Sequence, residues 1–378
     1  MAVINYVTEI RFGPGSAAEL AQVCQAQGFK KPLFITDRGV VAAGLIDRIQ
    51  SMNDLPDFHV FDGTPSNPTE AAAREGVSSF REAGCDSIVA VGGGSSIDLA
   101  KAVAVSARHP GPLRQFALIE GGLARITSAT VPLVAIPTTA GTGSEVGRGA
   151  IIILDDGRKV GIISPYVIPR VALCDPTLTV GLPPGLTAAT GMDAVAHCIE
   201  TFLAPSFNPP AEGIALDGLR RGWRHIERAF HEPDSIEART NMMSASLQGA
   251  LAFQKGLGCV HSLSHSLGGI DPRLHHGTLN AVLLPAVVRF NRESETVAKD
   301  EKIARLAQAM GLPAHVSVET AIQDMSRSLK LPTGLGQMGV TADLTQRIVA
   351  GALADHSHKT NPREASADDY ARLIEEAM

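Results

Sequence analysis

Ser87-Ile-Val-Ala-Val-Gly-Gly-Gly-Ser-Ser-Ile-Asp-Leu-Ala-Lys-Ala-Val-Ala-Val105 changes character in its middle. A short apolar run, residues 87–91, gives way to Gly92, Gly93, Gly94, Ser95 and Ser96, and residues 97–105 are composed like a helix. A buried strand that ends in glycines and opens into a helix lets backbone N–H groups approach a pyrophosphate, and the helix N-terminus adds the positive end of its dipole. The spacing is not G-x-G-x-x-G, so the standard Rossmann fingerprint is absent. A plain glycine-rich turn has the same look, and this loop alone does not decide between the two.

Working outward, residues 32–36 and 131–137 are further short apolar runs, and the amphipathic stretches 68–83 and 97–106 lie between them. Buried strands spaced by helices predict a mostly parallel sheet covered on both faces. The second run leads into Thr138-Thr139-Ala140-Gly141-Thr142-Gly143-Ser144-Glu145, another loop of hydroxyls and glycines. Two such loops after separate parallel strands share the carboxyl edge of the sheet, where α/β proteins bind ligands, which points to a nucleotide. Asp37, after the strand at 32–36, offers a carboxylate to an adenosine ribose or, equally, a helix N-cap. Residues 151–162 predict a hairpin around Asp156-Gly157, and residues 171–174 supply the last strand of this half. After Leu182-Pro183-Pro184 only helical patterns remain, at 186–203, 235–254, 260–267, 343–353 and 366–378. The expected architecture is an α/β dinucleotide-binding domain over residues 1–180 and an all-helical metal- and substrate-binding domain over 181–378.

A chain of 378 residues is long for one hydrophobic core, in keeping with two domains. With 44% hydrophobic and 19% charged residues and a net charge of −6, it has no basic footprint for nucleic acid or an anionic membrane. The first residues lack the basic and apolar regions of a signal peptide, and no apolar run approaches the ~18–20 residues that span a bilayer. The five cysteines are odd in number, scattered and without a C-x-x-C, which suits reduced thiols. The expected location is the cytoplasm.

The second half carries the sharper chemistry. Asp193 and His197 are four apart, as are His261 and His265, so each pair shares a helix face; His275 and His276 follow just before Gly277. One carboxylate with three imidazoles is a ligand set for a divalent transition metal such as iron or zinc. Buried histidines held by ordinary hydrogen bonds are the bland reading of the same residues.

With these residues in view, the chain resembles the iron-containing (group III) alcohol dehydrogenases. The resemblance rests on GGGSSIDLAKA (92–102), PTTAGTGSE (137–145), SPYVIPRVALCDPTLT (164–179), GMDAVAHCIE (191–200), GLGCVHSLSHSLGG (256–269), HHGTLNAVLLP (275–285) and TNPREASADDY (360–370). It implies an α/β dinucleotide domain followed by a helical one, and Asp193, His197, His261 and His276 as metal ligands. His275 departs from the commonest pattern, which has proline there, so the doublet leaves the fourth ligand open. His265 matches a family histidine near the nicotinamide and is expected to relay a proton. Gly92, Gly93, Gly94 and Ser95 are expected to hold the pyrophosphate, with Asp98 at the foot of that helix. Thr138, Thr139 and Thr142 would line the cofactor, and Lys159 would lie beside it. A carboxylate at Asp37 would repel a 2′-phosphate, which favours NAD over NADP.

The reaction this implies is hydride transfer between a short-chain primary alcohol, or its aldehyde, and NAD, with Fe2+ or else Zn2+ activating the oxygen. The complete ligand set argues against the metal-free maleylacetate reductases of the same superfamily, and PTTAGTGSE and HHG argue against its cyclising lyase. A polyol dehydrogenase, or an inactive nucleotide sensor on the same scaffold, would carry these motifs as well. A homodimer is expected, with residues 4–12 as the candidate interface strand.

Overall fold

The computed structural model describes residues 8–55 and 58–378. Its strands are β1 (Glu9–Phe12), β2 (Pro32–Ile35), β3 (His59–Phe61), β4 (Ser87–Gly92), β5 (Leu133–Pro137), β6 (Gly149–Ile153), β7 (Lys159–Ile163) and β8 (Val171–Cys174). Six form a sheet in the order β1-β8-β5-β4-β2-β3, with every pairing parallel. The period of two along a strand sorts the central side chains onto two faces. Leu33, Ile35, Ile88, Ala90, Leu133 and Ala135 enter one core, with the helices Glu70–Glu82 and Gly94–Ser106 over it. Phe34, Val89, Val91, Val134, Ile136 and Leu173 enter the other, beneath the helix Leu20–Gln27. Both faces are thus apolar and covered, as a parallel sheet requires.

The chain leaves β2 toward one edge, to β3, and leaves β4 toward the other, to β5. The carboxyl ends of β2 and β4 therefore flank a topological switch point, the usual ligand crevice of an open α/β sheet. The predicted hairpin is the antiparallel pair β6 and β7, with Ile153 opposite Lys159 and Gly157 at φ 83° in the turn. Of the interface strand expected at 4–12, β1 covers Glu9–Phe12, and residues 4–7 lie outside the described residues.

Two compact units divide the chain. One holds the sheet and its helices up to Val180; the other takes Gly181–Met378 together with Ala140–Thr142. The second unit is helical, and no strand follows β8 among the described residues. Its principal helices are Pro184–Leu203, Pro209–His231, Ile236–Leu251, Cys259–Ile270 and His276–Arg292. Proline opens the first two, where its missing N–H costs nothing. The Pro184–Leu203 helix is the centre: residues 191–203 are all buried, and the helices Pro209–His231, Ile236–Leu251 and His276–Arg292 pack against it. No described helix is long and apolar enough to cross a membrane. All five cysteines are buried and free.

The strand-to-helix segment at 87–105 also carries a buried charge cluster. Lys101 is fully buried, and its Nζ donates to Ser144 O at 2.7 Å and to Ser144 Oγ, Gly147 O and Gly149 O at 2.8 Å. Asp98, one helical turn earlier, accepts from Ser144 Oγ at 2.6 Å and from Ile151 N at 2.9 Å. Burial pulls Lys101 down to about 8, against the attraction of Asp98 and Glu145. Asp98, expected at the foot of this helix on the cofactor side, has its carboxylate engaged by the loop at 143–151, with Lys101 as the nearby opposite charge. Removing one partner of such a pair leaves an uncompensated buried charge. Asp98→Ala is therefore expected to cost about 3–5 kcal/mol. The Asp98→Leu/Lys101→Met double variant should lose less than Asp98→Ala, as read by thermal and denaturant unfolding.

Candidate metal centre and dinucleotide loops

At the carboxyl edge of the sheet, Gly92 ends β4 at φ 148°, and a Cβ there would lie 2.5 Å from Ser96 Oγ. Only glycine fits. Gly93 caps the Gly94–Ser106 helix, whose first N–H groups, on Gly94, Ser95 and Ser96, face outward without intrahelical acceptors. The second loop lies alongside: Thr138 N donates to Gly92 O at 3.0 Å, and Thr139 approaches within 3.3 Å of where a Cβ on Gly93 would be. Asp37 is the N-cap of the next helix, accepting from Val40 N at 3.0 Å, and its other oxygen accepts from Ser96 Oγ at 3.1 Å. Ser95 Oγ donates to Ser66 O at 2.6 Å, and Lys159 Nζ donates to Asn67 Oδ1 at 2.9 Å. Thr142, by contrast, falls in the helical unit. Sequence reasoning passed over Ser66 and Asn67, whose one signal was the Asn67-Pro68 dipeptide after β3.

In the helical unit, the Pro184–Leu203 helix presents Asp193 and His197 from one face, the Cys259–Ile270 helix presents His261, and the His276–Arg292 helix begins with His276. The Nε2 atoms of His197, His261 and His276 lie 3.6, 3.8 and 3.8 Å from a single oxygen, Asp193 Oδ1. Ligands at ~2.1 Å around a tetrahedral ion stand ~3.4 Å apart; Asp193, His197 and His261, whose donor atoms lie within 4.8 Å of one another, have the spacing of an open donor set, and His276 adds a third nitrogen near the same oxygen. Asp193, His197 and His261 are at most 3% exposed.

Each imidazole is held by its other nitrogen. His197 Nδ1 pairs with Gly141 O at 3.2 Å, His261 Nδ1 with the Glu200 carboxylate, and His276 Nδ1 with Ser264 Oγ at 3.3 Å. A proton on Nδ1 leaves the Nε2 lone pair for a cation, the arrangement that metal-binding histidines use. Burial holds His261 well below the usual imidazole range and raises Glu200. Asn280 Nδ2 lies 2.7 Å from Asp193 Oδ1, 3.2 Å from His261 Nε2 and 3.1 Å from His276 Nε2. One amide cannot satisfy three such acceptors with two hydrogens. A convergent, acceptor-rich set, buried at Asp193, His197 and His261 and partly open at His276, fits a divalent ion.

Gly277 explains why this helix comes so close. A Cβ there would lie 2.3 Å from Ala189 O, so only glycine lets the first turn of the His276–Arg292 helix rest on the backbone of the central helix. The doublet divides its work: His276 turns toward Asp193, whereas His275 is the helix N-cap, accepting from Thr278 N at 3.4 Å. His265 stands outside the donor set. Its Nδ1 donates to Asp355 Oδ2 at 3.0 Å, and its ring stacks on His276 with centroids 5.4 Å apart. Phe253 meets His197 edge-on at 4.8 Å. Glu200, Asn280 and Asp355 escaped the sequence reading, although an acid inside the apolar run of residues 191–203 was a signal for Glu200.

A parallel sheet with glycine-rich strand ends, joined in one chain to helices that gather a carboxylate and three imidazoles, defines the class of metal-dependent dinucleotide oxidoreductases. Residues 7–176 match the model of the iron-containing alcohol dehydrogenases, and residues 187–378 match that of the Fe-containing alcohol dehydrogenase family, C-terminal. The chain is 62% identical to the 4-hydroxybutyrate dehydrogenase of Cupriavidus necator, with all of both chains covered. Its fold matches a crystal structure of 1,3-propanediol oxidoreductase with a TM-score of 0.91 at 33% identity, covering 100% of each chain. It also matches sulfoacetaldehyde reductase from Bifidobacterium kashiwanohense in complex with NAD+, with a TM-score of 0.89 at 26% identity, covering 100% of this chain and 98% of that one. The chain belongs to the iron-containing alcohol dehydrogenase family. It is an oxidoreductase that acts on CH–OH groups, interconverting a small alcohol and its aldehyde, and a metal and NAD go with that activity.

The two histidines of the doublet should separate cleanly. His276→Ala is expected to lower metal affinity by at least ~100-fold, because it removes one donor of four. His275→Ala should keep the metal and lose a helix cap, worth about 1 kcal/mol. Elemental analysis after dialysis, with thermal unfolding alongside, distinguishes these outcomes.

Proposed function

We propose that the chain is a 4-hydroxybutyrate dehydrogenase, or acts on a similarly short primary alcohol with an acidic far end, using NAD and an Fe2+ ion, with Zn2+ as the second choice of metal. The observation that carries the reading is the convergence of three Nε2 atoms within 3.6–3.8 Å of one Asp193 oxygen. The 62% identity over the whole chain supports the substrate.

Asp193, His197, His261 and His276 are the proposed ligands, and Glu200, Ser264 and Gly141 O orient the imidazoles. An ion held there supplies a Lewis acid, which eases loss of the hydroxyl proton and polarises the aldehyde in reverse. His265 is the proposed proton acceptor: with Nδ1–H tied to Asp355, its Nε2 presents a lone pair. Phe253 contributes an apolar wall beside His197. Gly92, Gly93, Gly94 and Ser95 are proposed to bind the pyrophosphate through the helix N-terminus. Thr138, Thr139, Thr142 and Lys159 are proposed to line the cofactor, and Asp37 to select NAD. Asp98 supports that cradle from within, by holding the loop at 143–151.

We further propose a cytoplasmic homodimer. In support, β1 stands at the edge of the sheet with no strand on its outer side among the described residues, and Phe12 on it is exposed.

NADH formation with 4-hydroxybutyrate should vanish on dialysis against a chelator and return with Fe2+ under anaerobic conditions. Activity that survives complete metal removal would sink the proposal. Asp37→Gly, by removing the carboxylate that repels a 2′-phosphate, should raise the NADP-to-NAD ratio of kcat/KM by at least about tenfold.

A further inference from the structure

The segment Asp355-His356-Ser357-His358-Lys359 lies beside His265 and is not used by the chemistry above, except for Asp355. Asp355 N-caps the short turn His356–Thr360, accepting from Ser357 N at 2.7 Å. Its other oxygen, Oδ2, faces two imidazoles: His265 Nδ1 at 3.0 Å and His356 Nδ1 at 3.6 Å. The first distance is a hydrogen bond and fixes the His265 tautomer; the second is too long for one. His356 thus makes no hydrogen bond to Asp355, and a proton on its Nε2 breaks none.

The rings form a ladder. His265 lies nearly parallel to His276, at 13° and 5.4 Å, and His356 lies nearly parallel to His265, at 23° and 5.8 Å. His356 thus stands one ring beyond the proposed proton acceptor, which itself stands one ring from a proposed metal ligand. In a short ω-hydroxy acid of four carbons, the carboxyl carbon lies ~5–6 Å from the hydroxyl oxygen, a span of one such step. The His356 side chain is 21% exposed, and its Nε2 has no hydrogen-bond partner among the described residues. A partly exposed ring nitrogen that no protein group engages is open to a ligand. Its neighbours are otherwise engaged: His358 Nδ1 pairs with Tyr370 Oη at 2.9 Å, and Lys359 is exposed.

We infer that His356 is a specificity-determining residue, whose Nε2–H hydrogen-bonds the carboxylate at the far end of the substrate while the hydroxyl end lies by His265. This rests on the reading of the substrate as an ω-hydroxy acid. The carboxylate arrives on the Nε2 side, away from Asp355, whose oxygens already accept from His265 and Ser357 N.

The test is steady-state kinetics of the metal-loaded enzyme with 4-hydroxybutyrate and with 1-butanol, which has the same length and a methyl group at the far end. His356→Leu should raise KM for 4-hydroxybutyrate about 10- to 100-fold, the loss expected for a hydrogen bond to a charged group, while kcat moves less than about threefold. The 4-hydroxybutyrate-to-butanol ratio of kcat/KM should fall by the same factor. His356→Gln, which keeps an N–H, should recover part of it. Should the leucine variant not fold, His356→Phe keeps the ring volume and answers the same question. The inference is overturned if the ratio is unchanged, or if both alcohols lose equally. It is overturned too if the variant loses a bound metal equivalent, which would make His265, Asp355 and His356, with donor atoms within 4.8 Å of one another, a second metal site. A wild-type enzyme that prefers butanol would instead remove the substrate reading itself, before any variant is made.

Discussion

One oxygen of Asp193 organises the helical unit. The residue is 3% exposed, and the polar atoms around Oδ1 are three imidazole nitrogens and the amide of Asn280. A carboxylate withdrawn from water costs several kcal/mol unless opposite charge stands beside it. Here Asn280 Nδ2 is the one donor, at 2.7 Å, and a proton on the far nitrogen of each imidazole turns the near nitrogens into acceptors. The arrangement is unfavourable without a cation and strongly favourable with one. The same residues that make a poor core make a good candidate ligand set, and a metal held there would couple its binding to folding.

The rest of the unit serves that convergence. Gly277 lets one helix rest on Ala189 O of another, and Glu200 fixes His261 while also accepting from Val260 N at 2.8 Å, so the start of the Cys259–Ile270 helix is tied to the central helix. The α/β unit solves a similar problem by other means. Lys101 and Asp98 are buried at 0% and 6% exposure, but they carry opposite charges and share Ser144, so their charge is balanced within the protein. That cluster holds the loop at 143–151, and the groups proposed to meet a nucleotide are the backbone N–H groups of the glycine-rich turn.

How much of this was legible depends on the distance along the chain over which each contact acts. Strand periodicity, the glycine turn after residue 91 and the i,i+4 pairs Asp193/His197 and His261/His265 are local, and local patterns are visible in one sequence. The parallel sheet and helical second half were read from them. The division of the His275–His276 doublet was not visible, because it depends on which residue begins the helix, a boundary of one position that Gly277 sets by its contact with Ala189. Glu200 with His261, Asn280 with Asp193 and Asp355 with His265 join residues 61, 87 and 90 positions apart, and no spacing rule reaches so far. Asp98 is a related case. Its place in the glycine-rich segment suggested the cofactor, but the side of the helix it occupies is decided by Lys101, one turn on, and by a loop some fifty residues later.

Asp355 shows how one such distant contact converts packing into chemistry. Two ring nitrogens face its Oδ2, and the difference between 3.0 and 3.6 Å separates their roles. Burial works to raise this carboxyl, but His265 and His356 hold it below the usual carboxylate range, so it stays an acceptor. An acceptor there fixes the proton of His265 on Nδ1, and that in turn makes Nε2 the basic edge of the ring. Were Asp355 an asparagine, its amide could rotate to present N–H instead of oxygen, and the tautomer of His265 would no longer be dictated. The charge on Asp355 therefore orients His265, and its place at the start of the His356–Thr360 turn sets His356 beside that ring.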